Sequence, residues 1–316
     1  MRKAELVELV NNIIGNNRKF GLEVYVCIST KDGRQIKKVL ITDNLQKTLD
    51  EKIISILKEK YLNEIEIECA SDLADNKNAL YDFELSTEYD PFAFLNTWAN
   101  CDEKFDATID TSISGFAFKF NFNDNYFWAY QHVYPMSVLK KSKNVYAMIG
   151  NNKIYDVVNK DLIAIASRID LIVVHNHVIT AKTTLMQNKF GYDVVIRNEA
   201  QNTIDHIVEL GMVGNPEKLL MFAENKKLTN AKKLMKAKTS PILHMEKNGL
   251  IRRIQLHKRY KDMVTIKDGK IVTNTIKDIQ AFLKLLNDDI VKSELSDVEY
   301  DSSSKKVLKP IETIRE

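Results

Sequence analysis

Between residues 214 and 261 the chain carries 13 lysines and arginines against 3 acids, a net of +10, although the whole chain is close to neutral at +3. Cations at this density are chemistry for polyanions. Lysine and arginine displace condensed counterions from nucleic-acid phosphates, which gives sequence-independent, salt-sensitive binding. On a helix starting at Lys226, with about 100° per residue, Lys226, Lys232, Lys233 and Lys236 share one face. Leu228, Ala231, Leu234 and Met235 share the opposite one. Arg252, Arg253, Lys258, Arg259 and Lys261 follow among Leu250, Ile251, Ile254, Leu256 and Tyr260, a run that fits helix and strand equally. The candidate DNA-contacting residues are therefore Lys226, Lys227, Lys232, Lys233, Lys236, Lys238, Arg252, Arg253, Lys258 and Arg259. Two other readings compete. One is a solvated face of a lysine-rich protein. The other is a surface for an acidic face on another protein or on residues 43–110 of a second copy of this chain, where 6 Lys/Arg stand against 17 Asp/Glu for a net of −11.

Other polar groupings read as structure. His175-Asn176-His177 sits where two strands meet, so a hairpin turn is expected, and no third metal ligand stands at useful spacing. Glu64, Glu66 and Glu68 alternate with Ile65 and Ile67, the pattern of an exposed strand face. There is no GxxxxGK[ST] or GxGxxG loop, no GxSxG elbow and no HExxH helix. No catalytic residue, metal site or cofactor is assigned. Cys27, Cys69 and Cys101 are odd in number and widely spaced, which speaks against a zinc ribbon or a disulfide framework. Cys27 and Cys69 read as small core residues, and Trp98 and Trp128 as packing residues. Tyr260, beside Arg259 and Lys261, is the aromatic best placed to stack on a base.

The elements that must carry these residues suggest an α+β fold: an antiparallel sheet-rich N-terminal and central part, then a helical C-terminal part. An amphipathic helix opens the chain, with Leu6, Leu9, Val10 and Ile13 against Glu5 and Glu8. A hairpin follows, Val24 to Thr30 and Ile36 to Ile41 around Asp32-Gly33. Asp43 with Gln46 resembles a capping box, and Leu45, Leu49, Ile53, Ile56 and Leu57 line one face of the helix behind it. Loops and short elements are expected over 64–110. Phe116, Phe118, Phe120 and Phe122 recur with a period of two, turn at Asn123-Asp124-Asn125 and return through Tyr126 to Val133. Further hairpins are expected around Gly150-Asn151-Asn152 and between Leu171 and Thr180. Helices follow: one ending near Gly211, one starting at Asn215-Pro216, one over Lys226 to Ala237 and one through Ile276, Ile279, Leu283 and Leu286. Asp268-Gly269 marks a late hairpin, and Ser296 to Glu299 a second capping box. The expected division is 1–112 and 113–316.

The charge-alternating N-terminal helix is not expected to be a signal peptide, and the most apolar window, Leu162 to Val174, is broken by Arg168 and Asp170. It falls short of the ~20 apolar residues that a spanning helix needs. A soluble, intracellular protein in a reducing compartment is expected.

The C-terminal half resembles a known family as a whole. Arg168-Ile169-Asp170-Leu171-Ile172-Val173-Val174 leads into a hairpin, and the Asn215-Pro216 helix runs on to Lys232-Lys233-Leu234-Met235. Then Phe282-Leu283-Lys284-Leu285-Leu286-Asn287-Asp288-Asp289 precedes Lys292-Ser293-Glu294-Leu295 and Tyr300. This order is similar to the domain of KwaB, the soluble subunit of the Kiwa anti-phage system, over roughly residues 115–310. The resemblance implies a cytoplasmic DNA-binding effector held at the inner membrane by a membrane protein, KwaA. It supplies no catalytic residues. The leading expectation is a non-enzymatic, oligomeric protein (dimer or higher) that binds phage DNA and blocks its replication or expression. A metal-dependent nuclease using acids of the 64–110 region, and a scaffold assembled by acidic–basic subunit contacts, are the alternatives.

Overall fold

The structure, a computed structural model, describes residues 1–16, 22–63, 66–69, 79–106, 112–133, 138–139, 147–149, 155–157, 162–225, 228–293, 295 and 298–301. It divides into two compact units, Met1–Glu68 with Asn78–Thr183, and Cys69–Lys77 with Thr184–Glu316. The fold is α+β. Residues 112 and 113, where the sequence reading divides the chain, lie within the first unit.

The first unit contains α1 (Lys3–Asn16), β1 (Glu23–Thr30), β2 (Gly33–Lys38), α2 (Asp43–Lys60), β3 (Ile67–Cys69) and β4 (Leu80–Glu84). A 3-10 helix over Ala93–Asn100 comes next, then β5 (Ile113–Phe122) and β6 (Asn125–His132). Short pieces β7 (Val138–Leu139), β8 (Ala147–Ile149), β9 (Tyr155–Val157) and β10 (Leu162–Ile163) precede β11 (Leu171–Val174) and β12 (His177–Thr180). Eight strands form one sheet in the order β2-β1-β5-β6-β11-β12-β4-β3. The pairs β1–β2, β1–β5, β5–β6, β6–β11, β11–β12 and β12–β4 are all antiparallel. The turn residues follow their chemistry. Asn123 and His175 take left-handed φ angles of 54° and 50° at the tips of two hairpins. Gly150-Asn151-Asn152 lies outside the described residues, although β8 and β9 on either side do pair.

One face of the sheet carries the apolar core. Val24, Val26, Phe116, Phe118, Phe120 and Phe127 are buried there, packed with Leu6, Val10 and Ile13 of α1 and Leu49, Ile53 and Leu57 of α2. Leu45, expected on that α2 face, stays 43% exposed. The cap of α2 also differs from the sequence reading. It is Thr42, whose hydroxyl accepts from Leu45 N at 3.4 Å. Gln46 donates instead to the Leu22 carbonyl.

The opposite face of the sheet is covered as well: of the residues alternating with the phenylalanines, Ala117 and Lys119 are 0% and 1% exposed. The reason is the segment before β5. The 3-10 helix lies against β2, Phe92 packs edge-on to Tyr130, and Trp98 covers Lys119. Runs of 3-10 structure beyond four residues are uncommon, so eight residues of it imply a tertiary role. The acidic stretch, read as loops and short elements, supplies β4, an interior strand between β12 and β3. Its Asp82 breaks the apolar run of Leu80, Tyr81 and Phe83, and hydrogen-bonds His177 Nδ1 at 2.9 Å.

The second unit is mainly helical: α3 (Thr183–Lys189), α4 (Tyr192–Glu209), α5 (Pro216–Ala223), α6 (Thr229–Ala237), α7 (Lys247–Leu256), α8 (Tyr260–Met263) and α9 (Ile276–Leu286). Two small hairpins complete it, β13 (Ile266–Lys267) with β14 (Lys270–Ile271), and β15 (Ile290–Lys292) with β16 (Glu299–Asp301). Asp268 and Gly269 turn the first with φ of 52° and 65°, as a tight hairpin requires. Asn215 and Pro216 do start α5, but the Asn215 amide bonds Asn274 rather than capping. The capping box expected at Ser296 is overturned at its other end, because Glu299 pairs with Lys292 as strand β16. Ser296 lies outside the described residues. The capping box that does form, Thr275 with Asp278, starts α9.

Two predictions follow from the covered sheet face. A Cβ on Gly115 would overlap the Tyr130 hydroxyl, which is hydrogen-bonded to the Ser114 carbonyl at 3.1 Å. Gly115→Ala should therefore cost about 1–3 kcal/mol in urea unfolding, the usual penalty of overpacking. Burial pushes Lys119 down to about 8, with Glu23 opposing and Lys38 adding to the shift. Above pH 8 the folded state then releases this proton before the unfolded chain does, so the lysine's contribution to stability rises with pH. The stability difference between wild type and Lys119→Met should shift in favour of wild type from pH 7.5 to 9.5, and equal pH profiles would contradict it.

Candidate nucleic-acid interface

The sequence of α6 separates its two faces. Ala231, Leu234, Met235 and Ala237 are buried, and α6 packs against α4, α5 and α9 with that side. Lys232, Lys233 and Lys236 are thereby turned outward, Lys233 exposed and the other two partly exposed. Asn287 at the end of α9 donates to the Lys233 carbonyl at 3.4 Å, which ties the two helices together. Lys238, just past the helix, meets Glu199 of α4 at 2.5 Å. Lys226 and Lys227 lie outside the described residues.

The undecided second run is helical. In α7, Leu250 and Ile254 stand four residues apart and are buried, the spacing of one helical face. Arg252, Arg253 and Gln255 are exposed. The helix stops at His257, whose N–H reaches the Arg253 and Ile254 carbonyls, while its Nδ1 accepts from the backbone of Arg259 and Tyr260. Lys258 is exposed in that turn, and Arg259 pairs with Glu299 of β16. The candidate cations thus form two ridges in one unit. One runs along α6, the other along α7 and its turn, and α9 packs on both α6 and α8. Lys238 and Arg259 are each offset by a carboxylate of the same chain. Among the described residues, no ion pair holds Arg252, Arg253 or Lys258.

Tyr260 is not the outward stacking platform that its basic neighbours suggested. It is 6% exposed, with its ring 4.6 Å from that of His257. Burial, with Asp288, Asp289 and Asp301 nearby, pushes its hydroxyl up to about 12. It lines a groove beside α7, together with Leu256, which is 76% exposed. Sequence reading missed this groove, because its walls come from four separate segments. The one signal for it was Leu256, two residues past Ile254 and so nearly opposite it on the α7 wheel.

The remaining polar groupings sit in the first unit. His175 is the expected turn residue and His177 is held by Asp82. Glu64 lies outside the described residues, and Glu66 and Glu68 flank Ile67 at the start of β3. No group of three or more His, Cys, Asp or Glu side chains is placed to hold a metal ion among the described residues. Cys27 is a buried free thiol and Trp128 a buried packing residue, as expected. The side chain of Cys69 is not described.

The family model described as Kiwa protein KwaB-like matches residues 111–296. No curated protein and no solved structure matches the chain.

Proposed function

This chain belongs to the KwaB-like family of Kiwa proteins, components of anti-phage defence, and we propose that it acts there by binding phage DNA through α6, α7 and the turn after α7. The supporting observation is the outward set of Lys232, Lys233, Lys236, Arg252, Arg253 and Lys258, produced by burial of the opposite helix faces. Phosphates would be neutralised along these ridges without reading of base sequence. The action is non-enzymatic: a bound protein obstructs replication or expression of the incoming DNA. The same proposal includes a homo-oligomer, and attachment to the inner membrane through KwaA, so that the DNA is met where it enters the cell. No described helix is long and apolar enough to cross a membrane.

Replacing Lys232, Lys233, Lys236, Arg252 and Arg253 together by Glu should abolish retention of duplex DNA in a gel-shift assay, with circular dichroism checking the fold. Wild-type affinity should fall on the order of tenfold or more between about 50 and 200 mM salt, as expected when several phosphates are contacted. Retention unchanged by the five substitutions would remove the assignment. Cleavage of phage DNA by the pure protein with Mg²⁺ or Mn²⁺ would replace it with the nuclease reading.

A further inference from the structure

The groove beside α7 measures about 450 Å³, within the size range of small-ligand sites. The buried Leu250, Ile254 and Leu285 give it an apolar floor, and the His257–Tyr260 ring pair also lines it. Its charges are divided. Arg253 stands on the α7 wall, and Asp288 stands at the end of α9. Leu256 is three-quarters exposed at the same groove, in a stretch of chain that holds Arg252, Arg253, Lys258 and Arg259.

This pattern narrows the occupant. A phosphate would meet the Asp288 carboxylate and the apolar floor, so the anionic part of a ligand belongs outside, along Arg252, Arg253 and Lys258. What enters should be flat, apolar on its faces and able to donate a hydrogen bond to Asp288. A nucleobase with an exocyclic amino group has these properties. An exposed apolar side chain among DNA-directed cations matches the wedges that proteins insert between base steps.

We propose that this groove receives an unpaired nucleobase of a DNA strand whose phosphates lie along Arg252, Arg253 and Lys258, with Leu256 as the wedge beside it. The inference rests on the DNA-binding reading above and adds a structural preference to it: frayed ends, overhangs, bulges and forks over intact duplex.

The test uses the full chain and three oligonucleotides of one length: a blunt duplex, a duplex with one unpaired 2-aminopurine, and a single strand containing 2-aminopurine. The unpaired forms should bind roughly tenfold more tightly than the blunt duplex, the scale of one stacked base. The 2-aminopurine fluorescence should change on binding. Leu256→Ser, at an exposed position, should reduce the affinity for the unpaired forms to that for blunt duplex, and His257→Ala should diminish the fluorescence change. Equal binding of all three DNAs with no fluorescence change would overturn the base site and leave the DNA surface standing. Failure to bind any of the three would overturn the DNA reading itself. If Leu256→Ser leaves every DNA affinity unchanged but abolishes self-association, the groove belongs to a polypeptide and the base site is overturned.

Discussion

The antiparallel ladder between β5 and β6 organises the first unit. Its register runs from Gly115↔His132 to Phe122↔Asn125. Because side chains alternate along a strand, that single register decides which residues go to which layer. Phe116, Phe118 and Phe120 go to the side of α1 and α2. Gly115, Ala117 and Lys119 go to the side of the 3-10 segment. β1 and β11 then add at the two edges of this pair, and β2, β12, β4 and β3 extend it outward. A slip of one residue would send three phenylalanines to the wrong layer and bring a side chain onto Tyr130 where only glycine fits. The register is therefore held from both faces at once.

The second unit is built on a different rule. Its basic helices are short, and neither α6 nor α7 would be stable as an isolated peptide. What holds them is one apolar stripe each: Ala231, Leu234 and Met235 on α6, Leu250 and Ile254 on α7, Ile279, Phe282, Leu283 and Leu286 on α9. Packing those stripes leaves the cations no inward position. The basic surface is thus a by-product of core formation. Its orientation is as firm as the packing beneath it, even though the lysines themselves contribute little to stability.

What could be read from the residues alone followed periodicity. The hairpins at Asp32-Gly33, Asn123-Asp124, His175-Asn176 and Asp268-Gly269, and helices α1, α2, α4, α6 and α9, all carry their pattern within a few residues of chain. What stayed illegible was of another kind. β4 lies in a run with no strict alternation, because it is covered on both faces and its buried carboxylate, Asp82, has a histidine partner on the neighbouring strand. The period of two around Lys119 does not reveal that a segment about twenty residues away folds over it. Arg259 and Lys238 count as free cations in a sequence, while their carboxylate partners, Glu299 and Glu199, lie about forty positions distant. The groove beside α7 has walls from several segments, so no local pattern announces it. For the same reason net charge located the basic ridges but overstated how much of that charge remains uncompensated.

The burial of Lys119 has an optical consequence. The chain has two tryptophans, and both contribute rings around this one ammonium group, Trp98 directly above it and Trp128 about 6.0 Å away. Intrinsic emission excited at the red edge of the absorption band therefore arises entirely from one small region of the first unit. An indole facing a cation is sensitive to its field and to the admission of water. The protein thus carries a built-in reporter of whether the 3-10 segment is seated on the sheet, and that reporter is blind to melting of the basic helices.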